Sequence, residues 1–149
     1  MFCCAPAFAV TCTVSNATLA FGSYNPVSGS ANPANTSITV NCSAVLGLGA
    51  TATVSYQILI SAGSSGDVSN RTMTGGTPIL PYNIYTGASY TAVWDNTTGV
   101  SGSVMLSGPA GAPILVSGSD TKTAFGRILA SQPVQAGSYV DTLMITVNY

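Results

Sequence analysis

Apolar side chains in this chain recur at every second position, in short runs cut off by Gly, Pro, Asn and Ser. Ile38, Val40 and Cys42 share one parity within 36–42, and Val54, Tyr56, Ile58 and Ile60 share one within 52–62. Leu80, Tyr82 and Ile84 alternate in 79–85, and Leu143, Ile145, Val147 and Tyr149 alternate near the end. Period two puts such residues on one face of an extended strand. No segment keeps apolar residues at i, i+3, i+4 and i+7 for two turns, so no helix is predicted. About seven short strands with frequent turns predict an all-β sandwich or barrel. The 149 residues suit one domain, with no internal repeat and no linker to divide them.

The pattern predicts a first strand over 12–21 with a break near Asn16, then a long loop over 22–35 containing the turn signals Asn25-Pro26 and Asn32-Pro33. Strands follow over 36–42 and 52–62, with a Ser/Gly loop over 63–70. Arg71–Met73 is long enough for only brief pairing. Pro81 assigns the strand 79–85 to an edge or a bulge. Short strands are expected at 90–94, 104–106, 114–116 and 123–130, the last with a bulge at Gly126. The final strand, over 138–149, reaches the last residue. With nothing downstream to pair with it, its free edge is an aggregation hazard unless another part of the chain, or another chain, covers it.

Charged residues are 5% of the composition and hydrophobic ones 46%, against about 25% charged in an average soluble domain. No apolar run approaches the roughly 20 residues of a membrane-spanning helix. Ser, Thr, Asn and Gly fill the gaps between apolar positions instead. A surface with so little charge repels its neighbours weakly, which fits a packed assembly better than a freely diffusing protein. The three cations, Arg71, Lys122 and Arg127, form no run, so nucleic acid is not an expected partner.

Ala7-Phe8-Ala9 matches the small-x-small pattern of a signal cleavage site. Residues 1–9 therefore read as a signal-peptide remnant and 10–149 as the mature domain. Cleavage there removes Cys3 and Cys4 and leaves Cys12 and Cys42. These two suggest an oxidising compartment and one disulfide, or else two buried thiols.

The chain has neither His nor Glu, which excludes a Ser-His-Asp triad and a Cys-His pair. No cofactor or metal is expected, because a closed zinc site cannot be assembled from the remaining Cys. Asp67, Asp95 and Asp120 sit in turn-like contexts. Asp141 shares the apolar parity of the last strand, so a structural partner is expected for it, such as a buried amide or Arg127. Trp94 and most tyrosines are spaced as core residues. Trp94 with loop tyrosines supports an alternative, a self-sufficient secreted carbohydrate- or surface-binding module.

Several segments taken together carry a family resemblance: Cys12-Thr13-Val14, Phe21-Gly22-Ser23-Tyr24, Ile38 to Cys42, Asn70 to Met73, and Leu80 to Tyr85. Toward the end, Phe125-Gly126-Arg127-Ile128, Gly137 to Thr142 and Val147-Asn148-Tyr149 continue it. In this order they resemble the spore coat protein U domain family, which includes subunits of archaic chaperone–usher pili. The resemblance implies an incomplete immunoglobulin-like sandwich lacking its last strand. A periplasmic chaperone would supply that strand first, and a neighbouring subunit would replace it at an outer-membrane usher. It implies a secreted, non-enzymatic subunit on the cell surface or spore coat. The acceptor groove would run between Leu143, Ile145, Val147 and Tyr149 on one side and Val14 and Leu19 on the other. After cleavage only Val10 and Thr11 precede Cys12, and the stretch before them contains Pro6 and no clear alternation, unlike the donor segment of a fibre-shaft subunit, so a tip-located subunit, a terminator or a coat protein assembled differently is expected.

Overall fold

Two long strands, β2 (Asn32–Leu46) and β7 (Ile114–Ile128), pair antiparallel in unbroken register over fifteen residues each and form the spine of the domain. A computed structural model describes residues 9–75, 79–135 and 137–149. Around the spine lie β1 (Val10–Val14), β3 (Thr51–Ile60), β4 (Arg71–Met73), β5 (Leu80–Tyr85), β6 (Val100–Ser107) and β8 (Ile145–Asn148). One sheet has the order β1-β2-β7-β5-β4 and the other β6-β3-β8, with every pairing antiparallel. The chain is an all-β, immunoglobulin-like sandwich. Among the described residues β8 pairs only with β3, and no strand is hydrogen-bonded to its other edge.

Several elements differ from the sequence expectation, each for a physical reason. Gly118 to Asp120 lie inside β7 rather than in a turn, because β2 supplies a partner at every position and pairing overrides local propensity. Gly126 sits opposite Ala34 without a bulge. Pro33 belongs to β2, on a stretch whose far edge has no strand partner, since β1 reaches only Val40 to Ala44. β1 ends at Val14, well short of Phe21, and β8 begins only at Ile145. Between 90 and 94 the chain makes a single bridge, Val93 to Tyr85, instead of a strand.

The inward faces of both sheets meet in a core that includes Val40, Leu46, Ile58, Trp94, Val104 and Leu106, all essentially inaccessible to water. Burial of each such side chain contributes about 1.5–3 kcal/mol. Trp94 ties the sheets together: its amide donates to Ile84 O at 2.9 Å and its indole N–H to Ile58 O at 2.9 Å.

Beside it Arg71 is fully buried, and all five of its N–H groups find acceptors. Nε donates to Ser61 O (2.9 Å), Nη1 to Asn83 Oδ1 (2.8 Å) and Val68 O (3.4 Å), and Nη2 to Ile60 O (3.0 Å) and Trp94 O (2.8 Å). Burial pulls the guanidinium pKa down, and the neighbouring Tyr82, Asp141 and Asp95 oppose that pull. Arg71→Met removes every one of these donors and strands buried carbonyls, at about 1–3 kcal/mol each. The expected loss, read from the urea midpoint, is at least about 3 kcal/mol.

Asp95 shapes the turn into β6. Its Oδ1 accepts from the amides of Thr97, Thr98 and Gly99, and its Oδ2 from the Thr98 hydroxyl. The Thr98 side chain and then these amides hold its carboxyl well below the usual range. A depressed folded pKa contributes stability above the unfolded value near 3.8 and loses it as pH falls through the folded value. Asp95→Ala should therefore lower Tm at pH 7, and the gap from the unsubstituted protein should shrink in strong acid.

Candidate functional site

The larger sheet is wider than its partner, and part of its inner face is covered only by irregular chain. There a cavity of about 740 Å³ opens. Ile38 of β2, Leu80 and Ile84 of β5, and Ala124 and Ile128 of β7 form its floor. The inward positions of β7 shrink to Ala124 and Gly126 at this point, which leaves depth. A Cβ on Gly126 would lie 2.5 Å from Leu19 Cδ2 and 2.7 Å from Phe21 Cζ, so glycine lets the segment after β1 settle onto the sheet. Phe21 meets Tyr82 edge-on, with centroids 5.9 Å apart.

Two walls flank the floor. One is the segment after β1, whose Ala17, Leu19 and Phe21 alternate inward without a strand ladder. The Asn32 side-chain amide holds it, donating to Phe21 O at 3.0 Å. The other wall, residues 137–145, leads into β8. Val140 exchanges two 2.8 Å backbone bonds with Thr74, and Ser61 N donates to Met144 O at 3.0 Å. Beyond the cavity the edge strands β1 and β8 come within 8 Å of each other (Cα–Cα) with no ladder between them.

The groove carries one carboxylate. Asp141 Oδ2 accepts from the Tyr82 hydroxyl at 2.8 Å, and Oδ1 accepts from Ser64 N at 3.0 Å and Thr142 N at 2.9 Å. Burial, then the hydrogen bond to Asp141 and its charge, push the Tyr82 phenol up. Arg127, an expected partner of Asp141, instead lies over the Tyr90 ring, 5.0 Å from its centroid. Asp120, expected in a turn, stands mid-strand on β7. It accepts from the Tyr56 hydroxyl at 2.7 Å and pairs with Lys122 at 3.1 Å. Tyr56 and then Lys122 lower its pKa against the opposing effect of burial. Among the described residues, no three side chains of metal-binding type come together.

Cys12 and Cys42 sit directly opposite each other on β1 and β2 and are joined by a disulfide. Leu19, Leu143 and Ile145 line the cavity. Val14 and Val147 are half-buried against the core, where β1 and β8 run close. Tyr149 follows β8 and is 58% exposed. Phe21, Tyr82 and Ala124 line the groove, and Gly126 lies beneath its wall, without having been marked for it in the sequence. Only Gly126 gave a local signal there, and that signal reads equally as a bulge. Trp94, the anchor of the alternative binding reading, is fully buried. Residues 1–8, and with them Cys3 and Cys4, lie outside the described residues.

Fold and groove together define an immunoglobulin-like sandwich with an unpaired sheet edge beside an open cleft with an apolar floor. The family profile of the Spore Coat Protein U domain matches residues 1–146, and the chain belongs to that family. Its members are structural subunits of surface fibres and coats. No curated protein matches the chain.

The disulfide tethers β1, which has one strand partner, across a separation of 30 residues. Closing a loop of that length stabilises by about 3–4 kcal/mol in the chain-entropy model. A Cys12→Ala/Cys42→Ala double variant should lose that much in urea unfolding. Its amides in 10–14 should exchange with deuterium faster than those in β7.

Proposed function

We propose that this protein is a structural or adhesive subunit of a bacterial surface fibre or coat, and that its groove accepts an extended segment of another polypeptide. The observation that carries the reading is the unpaired edge of β8 beside an open cavity with an apolar floor. An exposed edge offers unpaired N–H and C=O groups, and a strand added there gains backbone bonds while its alternate side chains fill pockets. A periplasmic chaperone would be the first donor, and a neighbouring subunit would replace it at an outer-membrane usher. Export would remove residues 1–9, leaving 10–149 as the mature domain. The proposal extends to a tip or terminal position in the fibre.

Magnitudes decide where the donor enters. A strand between two others needs about 9.5 Å, twice the interstrand spacing. β1 and β8 are closer than that where they run side by side. The donor therefore enters at the wide end, between Leu19 and Leu143, and parts β1 from β8 as it extends toward Val14 and Val147.

A synthetic peptide with alternating valines tests the reading on the full chain. A ligand at 100 times its Kd stabilises by about 2.7 kcal/mol. For a domain of this size that raises Tm by roughly 5–10 °C. A peptide of the same composition without alternation should leave Tm unmoved. An equal response to both peptides, or to neither, would overturn the proposal.

A further inference from the structure

The groove changes chemistry along its length. Asp141, Leu143 and Ile145 share the inward parity of one wall, and all three line the cavity. Two of these positions are apolar and one is a carboxylate. The carboxylate is built in from two sides. The turn at 63–65 presses so close that a Cβ on Gly63 would lie 2.2 Å from Asp141 Oδ2, while Ser64 N and the Tyr82 hydroxyl bind its oxygens. With Thr142 N, these bonds occupy three of the roughly four acceptor sites of a carboxylate. One acceptor site remains, on Oδ2, and Asp141 is among the residues that line the cavity.

An extended occupant presents every second side chain inward, at steps of about 6.6–6.8 Å. That is the two-residue step of the wall. Side chains opposite Ile145 and Leu143 meet hydrocarbon. The next one meets Asp141. An apolar group there would strip water from an acceptor without replacing it, which is costly. A donor would complete the carboxylate with a charge-assisted bond.

Resting on the strand-accepting reading, we infer that Asp141 is a specificity-determining residue of the groove. It selects an extended segment that carries a hydrogen-bond-donating side chain (Ser, Thr, Asn or Lys) at the inward position next to two apolar ones. This fixes the register of the occupant, because a slip by two residues in one direction would bring the donor against Leu143, and in the other an apolar side chain against the carboxylate.

The test is a scan of labelled peptides on the full-length protein, followed by fluorescence anisotropy. The parent peptide has valine at every inward position, and each valine in turn is replaced by Ser or Lys. Replacement is expected to weaken binding at the apolar positions and strengthen it about tenfold at the one facing Asp141. In Asp141→Ala the gain should vanish and valine should be preferred. Tyr82→Phe, which frees an acceptor site, should preserve or enlarge the gain. The series on the unsubstituted protein is decisive even where Asp141→Ala folds poorly. Weaker binding at every inward position would overturn the inference while leaving the groove a strand acceptor. No binding by any peptide would overturn both.

Discussion

Strands within a sheet lie about 4.8 Å apart, so a sheet of five strands is roughly two strand widths broader than one of three. That mismatch governs this domain. The three-stranded sheet lays β6 over β7 and β2 and sets β8 alongside β1. The inner faces of β5 and β4 are left to irregular chain, residues 17–24 and 137–144. Irregular chain covers a sheet less completely than a strand, because its side chains do not alternate against the floor over a full ladder. The cavity is what remains. Its floor is well formed and its walls are not, a combination that requires something rigid beneath it.

Arg71 supplies much of that rigidity. Its guanidinium binds the carbonyls of Ile60 and Ser61 at the end of β3, and Asn83 on β5. Ile60 and Ile84, both cavity-lining, are therefore anchored through their own or adjacent backbone groups. A buried cation is costly unless every donor is satisfied, and here every donor is. The floor thus belongs to the most strongly tied part of the molecule. The walls carry no strand ladder and are held by separate contacts: the Asn32 amide and the Tyr24 hydroxyl on one side, and a bridge to Thr74, the Ser61 contacts and the Asp141 bonds to Tyr82 and Ser64 on the other. Regions held this way open at lower free energy than the core. If the groove accepts a strand as proposed, it has to widen, and that division of stability suits the widening.

Period two made the sandwich legible from residues alone, because half-buried strands carry their pattern in their own side chains. Ile38 to Cys42 and Val54 to Ile60 lie where the alternation put them. The inward parity of Asp141, Leu143, Ile145 and Val147 also holds, continuing across a stretch that is only partly a strand. The full length of β7 was not legible. Gly118-Ser119-Asp120 is locally a turn and becomes strand only because β2 lies beside it. Nor was the depth of the groove, which depends on Leu19 and Phe21 meeting Gly126 from a hundred residues away. A small residue in a sequence marks room, without saying what fills it.

The two edges of the smaller sheet are treated in opposite ways. Beside β6, Asp120 reaches toward Gly102, where a Cβ would lie 2.8 Å from its Oδ2, and Lys122 pairs with it. The two charges stand on β7, across the sandwich from β6, and a strand docked beside β6 would draw them out of water, which is costly. That end holds two of only seven charged residues in the chain. Beside β8, the residues facing inward are Leu143, Ile145 and Val147, and no such charge pair guards the edge among the described residues. Asp141 lies farther along, outside β8 and fixed by Tyr82 and Ser64. A domain built to stay alone has reason to protect both edges. Spending scarce charge on one while lining the other with hydrocarbon leaves β8 as the edge suited to receiving a partner.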